Sequence, residues 1–516
     1  MPTTALIRPL YKGDESEFQE PLGIERLAGF LEMRGVAVRQ FDRRLFAREH
    51  SPAFWQEFEE AFPTGHSPNL VGLSVMTAED VPDALRVISR ISARHPLARF
   101  IAGGLYVTTN PEAARTRFPP PVQLVAYEGE LPLLEAVLKQ ELPAASITPS
   151  PDTPSSPAVL HRDGCCPSTV GTENGGPHAG DHTLTPNEWA PASRPNFERY
   201  VRLGCAISLQ STRGCQGSCS FCATPELPLP YRCWRGRAIA LVANEVEALT
   251  ARARAAGLLP IFNFVDDDFG SLGRIEELSA ELQRRDLHIA YALQLRVGAL
   301  LGQERLAERL AALNRGGFTR VFLGVESLCA KTLKNWNKPY PTNGLPAVFN
   351  ALRLAGISAH IGYILWHSSS TVEGAREEAR RLWEMGLYCP KVAESRMVLF
   401  PGSRLHRQSQ ASGLHSHNAR WEPLEPEVEG FYHSLSNRLR PLYDVWKEGA
   451  VLAPWLAAQA HLTNNPTALH ELNSILTQCD RYSYQGLVNS VFPKDLPEIA
   501  SELMSRVRRI QSAVLA

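Results

Sequence analysis

The chain has 516 residues, with 53 basic side chains against 54 acidic ones, a formal net charge of −1, and 44% hydrophobic residues. That length allows roughly two to four domains with cores of their own, and the balanced charge gives no broad attraction to nucleic acid or an anionic membrane surface. Residues 1–10 lack a basic segment followed by an apolar run, and no later stretch is long and apolar enough to span a bilayer, so a cytoplasmic protein with no nucleic-acid or membrane partner is expected.

Residues 1–141 alternate short apolar runs with amphipathic stretches, as a doubly wound parallel sheet does. Strands are predicted at 5–7, 36–38, 70–74, 99–102 and 122–126, and helices at 22–34, 81–94 and 131–141, which together make a Rossmann-like α/β domain. Residues 142–198 then turn to Pro, Ser, Thr, Gly and His with little periodicity and read as a linker or insertion. His161, Cys165, Cys166, His178 and His182 lie there at spacings that match no standard zinc pattern, so an incidental segment is expected.

Strand and helix patterns resume over residues 199–403, with strands predicted at 206–212, 261–265, 289–295, 320–325, 358–365 and 392–400. Six such repeats predict a partial (β/α)6 barrel of the TIM type, open on one side. Residues 404–516 are mostly helical in pattern, at 431–446, 453–460 and 499–514, and predict a small helical cap in which Trp446, Trp455 and Tyr484 fill a core or, on the other reading, line a substrate pocket.

Ten cysteines are sparse for disulfides over this length, and three share one loop. Cys215, Cys219 and Cys222 follow a predicted strand at C-x3-C-x2-C spacing. A [4Fe-4S] cluster normally takes four cysteines, so three leave one iron open to a non-protein ligand. A zinc site would instead pair C-x2-C with further cysteines or histidines, and three buried structural cysteines seldom share one Gly-rich loop. Cys233, eleven residues downstream, is the alternative fourth ligand; it would close the cluster and leave it only electron transfer.

The loop resembles the signature of the radical S-adenosylmethionine (SAM) superfamily, including an aromatic residue, Phe221, before the third cysteine. The resemblance implies that SAM occupies the open iron, is cleaved reductively to a deoxyadenosyl radical, and packs its adenine near Phe221. Barrel sites gather at the carboxyl ends of strands, and residues there extend the likeness. Asp266 and Asp267 resemble the family's D-D-x-F segment near the SAM amino group; the plainer reading is a helix N-cap with clustered acids. Arg296 ends the third strand, where a guanidinium would pair with the SAM carboxylate. Glu326 and Ser327 sit in a segment similar to the family's G-[VIL]-[EQ]-S. Tyr363 and His367, at the fifth strand's end, are candidate substrate contacts or ordinary hydrogen-bonded neighbours.

An α/β domain ahead of such a barrel resembles the cobalamin-binding domain of class B radical SAM enzymes. Pro21-Leu22-Gly23-Ile24 at the first helix, Ser74 and Thr77 after a strand, Gly103 and Gly104 after the next, and Glu128 and Gly129 after the last carry that likeness. It implies that Ser74, Thr77, Gly103, Gly104, Glu128 and Gly129 contact cobalamin. No D-x-H-x-x-G occurs, and His50, His66 and His95 lack that context, so the corrinoid would bind without a motif histidine below cobalt; the other reading is a scaffold that binds no corrinoid.

The implied activity is cobalamin-dependent methylation of a weakly activated carbon (or phosphorus) centre in a small metabolite or peptide-derived precursor. One SAM would methylate the reduced cobalt and a second would yield the radical, with electrons from an external donor such as flavodoxin or ferredoxin. Two alternatives stay open: a radical SAM enzyme performing rearrangement, cyclisation or oxidation without methylation, and a non-catalytic iron-sulfur sensor or electron carrier.

Overall fold

The structure is a computed structural model that describes residues 4–10, 19–48, 51–138, 184–411 and 420–515. These divide into two units, the first drawn from Met1–Glu15, Pro21–Pro195 and Leu229–Cys233, the second from Ser16–Glu20, Asn196–Pro228 and Trp234–Ala516.

In the first unit the apolar runs become β1 (Thr4–Arg8), β2 (Val38–Asp42), β3 (Leu70–Ser74), β4 (Arg99–Gly103) and β5 (Gln123–Val125), paired in the order β2-β1-β3-β4-β5. All four pairings are parallel. Helices cover both faces, so successive residues of β1 enter different cores. Ala5 and Ile7 join Phe41, Phe58 and Val87, while Leu6 joins Ile24, Phe30 and Leu133. The strand order reverses between β1 and β3, which opens a crevice at the carboxyl edge.

The expectation for β2 was misplaced by two residues at its start. The apolar triplet 36–38 leads into the strand, and β2 itself reads Val-Arg-Gln-Phe-Asp, with only Phe41 and Asp42 buried. A strand on the sheet's edge needs few apolar positions, which hides it from a periodicity search.

The described end of the expected linker is packed into the first unit. Trp189 and Ala190 are buried, Arg26 Nη1 donates to Ala190 O at 2.7 Å, and Ser193 N donates to Glu25 O at 2.8 Å. A Cβ on Gly29 would stand 2.0 Å from Pro191 O, so only glycine lets this strap lie on the helix Leu22–Glu32. Main-chain groups make these contacts, which is why no apolar period betrayed them. His161, Cys165, Cys166, His178 and His182 lie outside the described residues.

The second unit's sheet contains β6 (Ile207–Leu209), then, beyond a two-stranded antiparallel ribbon of β7 (Thr212–Arg213) and β8 (Arg235–Gly236), the strands β9 (Ile261–Phe264), β10 (Ala290–Arg296), β11 (Phe318–Glu326) and β12 (Ser358–Tyr363). Its order is β12-β11-β10-β9-β6, all parallel. The helices Ile239–Ala255, Leu272–Arg284, Leu306–Arg315, Leu345–Leu354 and Val372–Glu384 follow in turn. The expected sixth strand is largely replaced by the short helix Pro390–Glu394, started by Pro390, and by single bridges from Arg396 to Trp366 and from Val398 to Trp421. Ser395 O accepts from both Leu365 N and Trp366 N, so the chain touches the sheet without forming a ladder.

The C-terminal helices are Arg404–Ala411, Pro426–Thr463, Thr467–Asn489 and Leu496–Leu515. The second runs unbroken through Pro441 and Pro454, where separate helices were expected. Its buried face, including Leu435, Leu439, Leu442 and Val445, belongs to the same hydrophobic core as the sheet, and that packing offsets the backbone bonds lost at proline. Trp446 and the Trp383–Tyr484 stack, with centroids 4.5 Å apart, fill this core as expected.

Candidate functional site

Three thiols meet just beyond β6. A Cβ added to Gly217 would stand 3.4 Å from Cys215 Sγ, 3.7 Å from Cys219 Sγ and 3.6 Å from Arg296 Cδ, so this glycine leaves open the space the thiols face. Cys222 lies close enough to both to raise the pKa of each. Burial dominates: it pushes Cys215 up to about 12 and raises Cys219 as well, which does not suit an activated nucleophile. Among the described residues no three His, Cys, Asp or Glu side chains close around a point suited to one ion. A single zinc needs all its sulfurs about 2.3 Å from one centre, whereas thiols standing around an open space fit a multi-iron cluster. Cys233 is disulfide-bonded and therefore supplies no fourth thiolate.

The loop is held from four directions. Asp266, fully buried after β9, accepts from Ser211 N at 2.7 Å, Thr212 N at 2.9 Å and Ser211 Oγ at 2.6 Å. Asp268, also buried, accepts from Arg296 Nε at 2.7 Å and lies 3.9 Å from Cys215 Sγ. Its carbonyl accepts from Thr212 Oγ1 at 3.0 Å and from Trp234 Nε1 at 2.8 Å. Opposite, Trp336 O accepts from Ser220 N at 2.9 Å, and Asn337 Nδ2 donates to Ser218 O and Oγ, both at 2.9 Å. Finally, Leu405 N, in the helix that follows Ser403, donates to Ser220 O at 2.8 Å.

Asp267 stands apart from these bonds. It is exposed at the surface, and desolvation, then the neighbouring Asp268, raises its carboxyl above the usual range. Among the described residues it makes no hydrogen bond or ion pair. Arg296, at the end of β10, uses Nε on Asp268 and Nη2 on Gln216 Oε1 at 2.5 Å, which leaves Nη1 for another acceptor. Glu326 ends β11 at a bulge with φ +65°, a strained backbone for a residue with a side chain. Its Oε1 accepts from Lys338 Nζ at 2.7 Å, and Lys338 in turn lies 5.8 Å from the Phe221 ring centroid and lowers the Cys219 pKa.

Three expected contacts lie elsewhere. Asp266 has its oxygens committed to the loop, so it positions the thiols and does not face outward. Ser327 is fully buried, its Oγ donating to Glu378 Oε2 at 3.2 Å on the helix Val372–Glu384. Tyr363 bonds the same carboxylate and accepts from Leu328 N at 3.2 Å, so it sits under the helical layer. His367 is buried with its ring 4.9 Å from that of Trp336, which stands 5.7 Å from Phe221.

Burial also lowers His367 to about 4, from 6.5. Its folded pKa lies below the unfolded one, so the unfolded chain binds more protons between those values, and stability falls as pH drops through that window. His367→Gln is expected to abolish about 1–3 kcal/mol of this acid sensitivity. Urea midpoints of both proteins at pH 7.5 and 4.5 check it; a gap between them that does not change with pH would sink the assignment.

Asp268, Trp336, Asn337 and Lys338 were missed from sequence. Asn337 has φ +54° just after a helix, a position that favours Asn, and that signal was readable. Lys338 gave none.

In the first unit, Ser74, Thr77, Gly103, Gly104, Glu128 and Gly129 all lie at the carboxyl edge of the sheet or just beyond it. Asp80 Oδ2 fixes the loop after β3, accepting from Met76 N at 2.7 Å, Thr77 N at 3.0 Å and Arg8 Nη1 at 2.6 Å. Gly104, at φ +106°, lets β4's loop press on Val75 O, which a Cβ would approach to 2.6 Å. Met76 and Leu105 are 40% and 52% exposed there. Tyr127 stacks on Tyr231 at 4.7 Å on the same edge. His66 and His95 precede β3 and β4, at the opposite end, where His95 Nδ1 bonds Ser67 Oγ at 3.0 Å.

The two units thus define an α/β protein with a three-thiolate centre beside strand ends. Residues 209–378 match the family model for the radical SAM superfamily, and this part of the chain is a radical SAM domain, which implies a [4Fe-4S] cluster and SAM. The bacteriochlorophyllide d C-8(2)-methyltransferase of Chlorobaculum tepidum is 22% identical over 300 residues, 56% of this chain and 63% of that one, so the match spans less than two thirds of the relative. Among solved structures, the cobalamin-dependent SAM radical enzyme OxsB with aqua-cobalamin bound superposes with a TM-score of 0.70 at 15% identity, covering 100% of this chain and 80% of that one. The radical SAM methyltransferase TsrM from Kitasatospora setae, with tryptophan substrate and a SAM analogue, gives 0.60 at 15% identity over 99% of both chains. These likenesses establish the fold. No helix among the described residues is long and apolar enough to cross a membrane.

Proposed function

We propose that this protein is a cobalamin-dependent radical SAM methyltransferase acting on a weakly activated carbon (or phosphorus) centre of a small metabolite or peptide-derived precursor. The observation that carries the reading is the meeting, at one strand edge, of three thiols, an exposed carboxylate without a hydrogen bond among the described residues and a guanidinium oriented by Asp268. When bound, the cluster supplies the electron that cleaves SAM, and the corrinoid supplies the cobalt that carries the methyl group.

The chain's task is positioning. Cys215, Cys219 and Cys222 hold the cluster. Asp267 receives the SAM ammonium, and Arg296 Nη1 its carboxylate. Glu326, steadied by Lys338, faces the ribose, with Phe221 beside the adenine. In the first unit, Ser74, Thr77, Gly103, Gly104, Glu128 and Gly129 border the corrinoid and Met76 and Leu105 give it an apolar bed. His66 and His95 lie at the far end of that sheet, away from these residues. The parallel strands β6 and β9 to β12, with the bridge at Arg396, are read as a partial (β/α) barrel. An external donor such as flavodoxin or ferredoxin supplies electrons, in the cytoplasm.

Anaerobic reconstitution with iron, sulfide and hydroxocobalamin tests the reading, through metal and corrinoid counts and the SAM products formed with a strong reductant. Cluster, stoichiometric cobalamin, deoxyadenosine and S-adenosylhomocysteine together are expected. Deoxyadenosine without bound cobalamin would overturn methyl transfer and keep a radical enzyme.

A further inference from the structure

The inner face of the second unit's sheet carries a charge that no side chain among the described residues answers. Along β10 and β11 the side chains alternate: Tyr291, Leu293, Leu295, Val321, Leu323 and Val325 are buried in the core. Ala292, Gln294, Arg320, Phe322 and Glu326 point the other way and keep part of their surface in contact with solvent. That half-open face is a lumen. Near the amino ends of the strands it is closed by Ala458, Trp455 and Leu462, which pack on Ile261 and Ala290. At the carboxyl ends stand Arg296, Glu326 and the cysteine loop.

Arg320 lies toward the amino end of this face, as the third residue of β11 and the register partner of Ser358, the first of β12. His360, on β12, pairs in register with Phe322, and their rings are 5.6 Å apart. Among the described residues Arg320 makes no hydrogen bond or ion pair, and no carboxylate stands near enough to offset its desolvation, which lowers its pKa to about 10. His360 is held to about 3 by burial, then by Arg320 and by Lys391 of the helix Pro390–Glu394, so it is neutral at physiological pH. Every charged group that acts on this histidine is a cation.

An enclosed guanidinium without a counter-ion is destabilising, and such groups persist where a ligand completes them. The planar fork matches a carboxylate. Phosphate sites use nests of free backbone N–H groups, and here the strand amides are spent in the ladder. We propose that the lumen seats its substrate by a carboxylate on Arg320, with neutral His360 as a second donor and Phe322 against the apolar body of the molecule. The word substrate rests on the proposed radical SAM reading; the anion subsite itself does not require the cluster.

Titration calorimetry on the full chain, with and without reconstituted cluster, tests this with benzoate, benzamide and phenyl phosphate as probes. Benzoate is expected to bind at least tenfold more tightly than either of the others in both forms. Arg320→Met is expected to erase that advantage while raising the ligand-free thermal midpoint by about 2–4 °C, because an unanswered charge is gone. Arg320→Lys keeps the charge without the fork and retains a reduced preference for benzoate over benzamide. No benzoate binding, equal binding of benzoate and benzamide, a preference for phenyl phosphate, or an undiminished benzoate preference in Arg320→Met each overturns the carboxylate subsite. Failure to assemble any cluster while the benzoate preference persists overturns the radical SAM reading alone.

Discussion

Cys219→Ala is expected to bring bound iron and sulfide to background after reconstitution and to abolish reductive SAM cleavage. The loop offers three thiols, and Cys233, disulfide-bonded in the structure, is not one of them. The scaffold of the loop does not depend on the metal: Ser220 is held by Trp336 O, Ser218 by Asn337, and Ser211 and Thr212 by Asp266. The metal-free variant should therefore melt within about 2 °C of the metal-free wild type. Cluster-loaded wild type is the wrong reference, since a bound ligand stabilises by mass action. Cys329→Ala, a half-buried cysteine outside the loop, should keep its full cluster. Iron counting and visible absorption distinguish the two, and a Cys219→Ala protein that retained its iron would remove this thiol from the centre.

Asp266→Ala is expected to destabilise the second unit by about 3–5 kcal/mol. Three donors would be left in a buried space: two backbone amides and the Ser211 hydroxyl. Desolvation raises the Asp266 pKa to about 6, so the carboxylate is retained at some cost to stability because the loop needs an acceptor for several donors at once. Asp266→Asn, with one acceptor oxygen left, should fall between alanine and wild type. Denaturant unfolding checks the order, and a loss under about 1 kcal/mol for alanine would mean that water reaches those donors.

Much of the architecture was legible because it is written in local period and spacing. The helix Val81–Arg94 and the strand Leu70–Ser74 fall where apolar periodicity predicts them, and the three cysteines announce themselves by lying in one short loop. Arg296, Glu326 and Asp267 were singled out by a positional rule, the strand's carboxyl end, together with the likeness to family motifs. That rule cannot say which way a side chain turns. Of the adjacent acids, Asp266 points into the protein, Asp267 keeps solvent contact and Asp268 turns to Arg296, because successive residues of a loop answer to different partners.

The sequence by itself determined the chemistry available: three thiols at cluster spacing, strands that must lie parallel because helices separate them, and a glycine-marked edge ahead of the cysteine loop. Only the tertiary structure decided how those thiols are held and what faces the space beside them. Asn337 grips Ser218 across 119 residues, and Trp234 and Lys338 reach the site from segments with no motif. Arg320 reads in sequence as one more charged residue in a strand, and its lack of an ionic partner among the described residues emerges only when the strands are set side by side. Local preference is set by neighbours a few residues away; the absence of a counter-ion is a property of the whole enclosure.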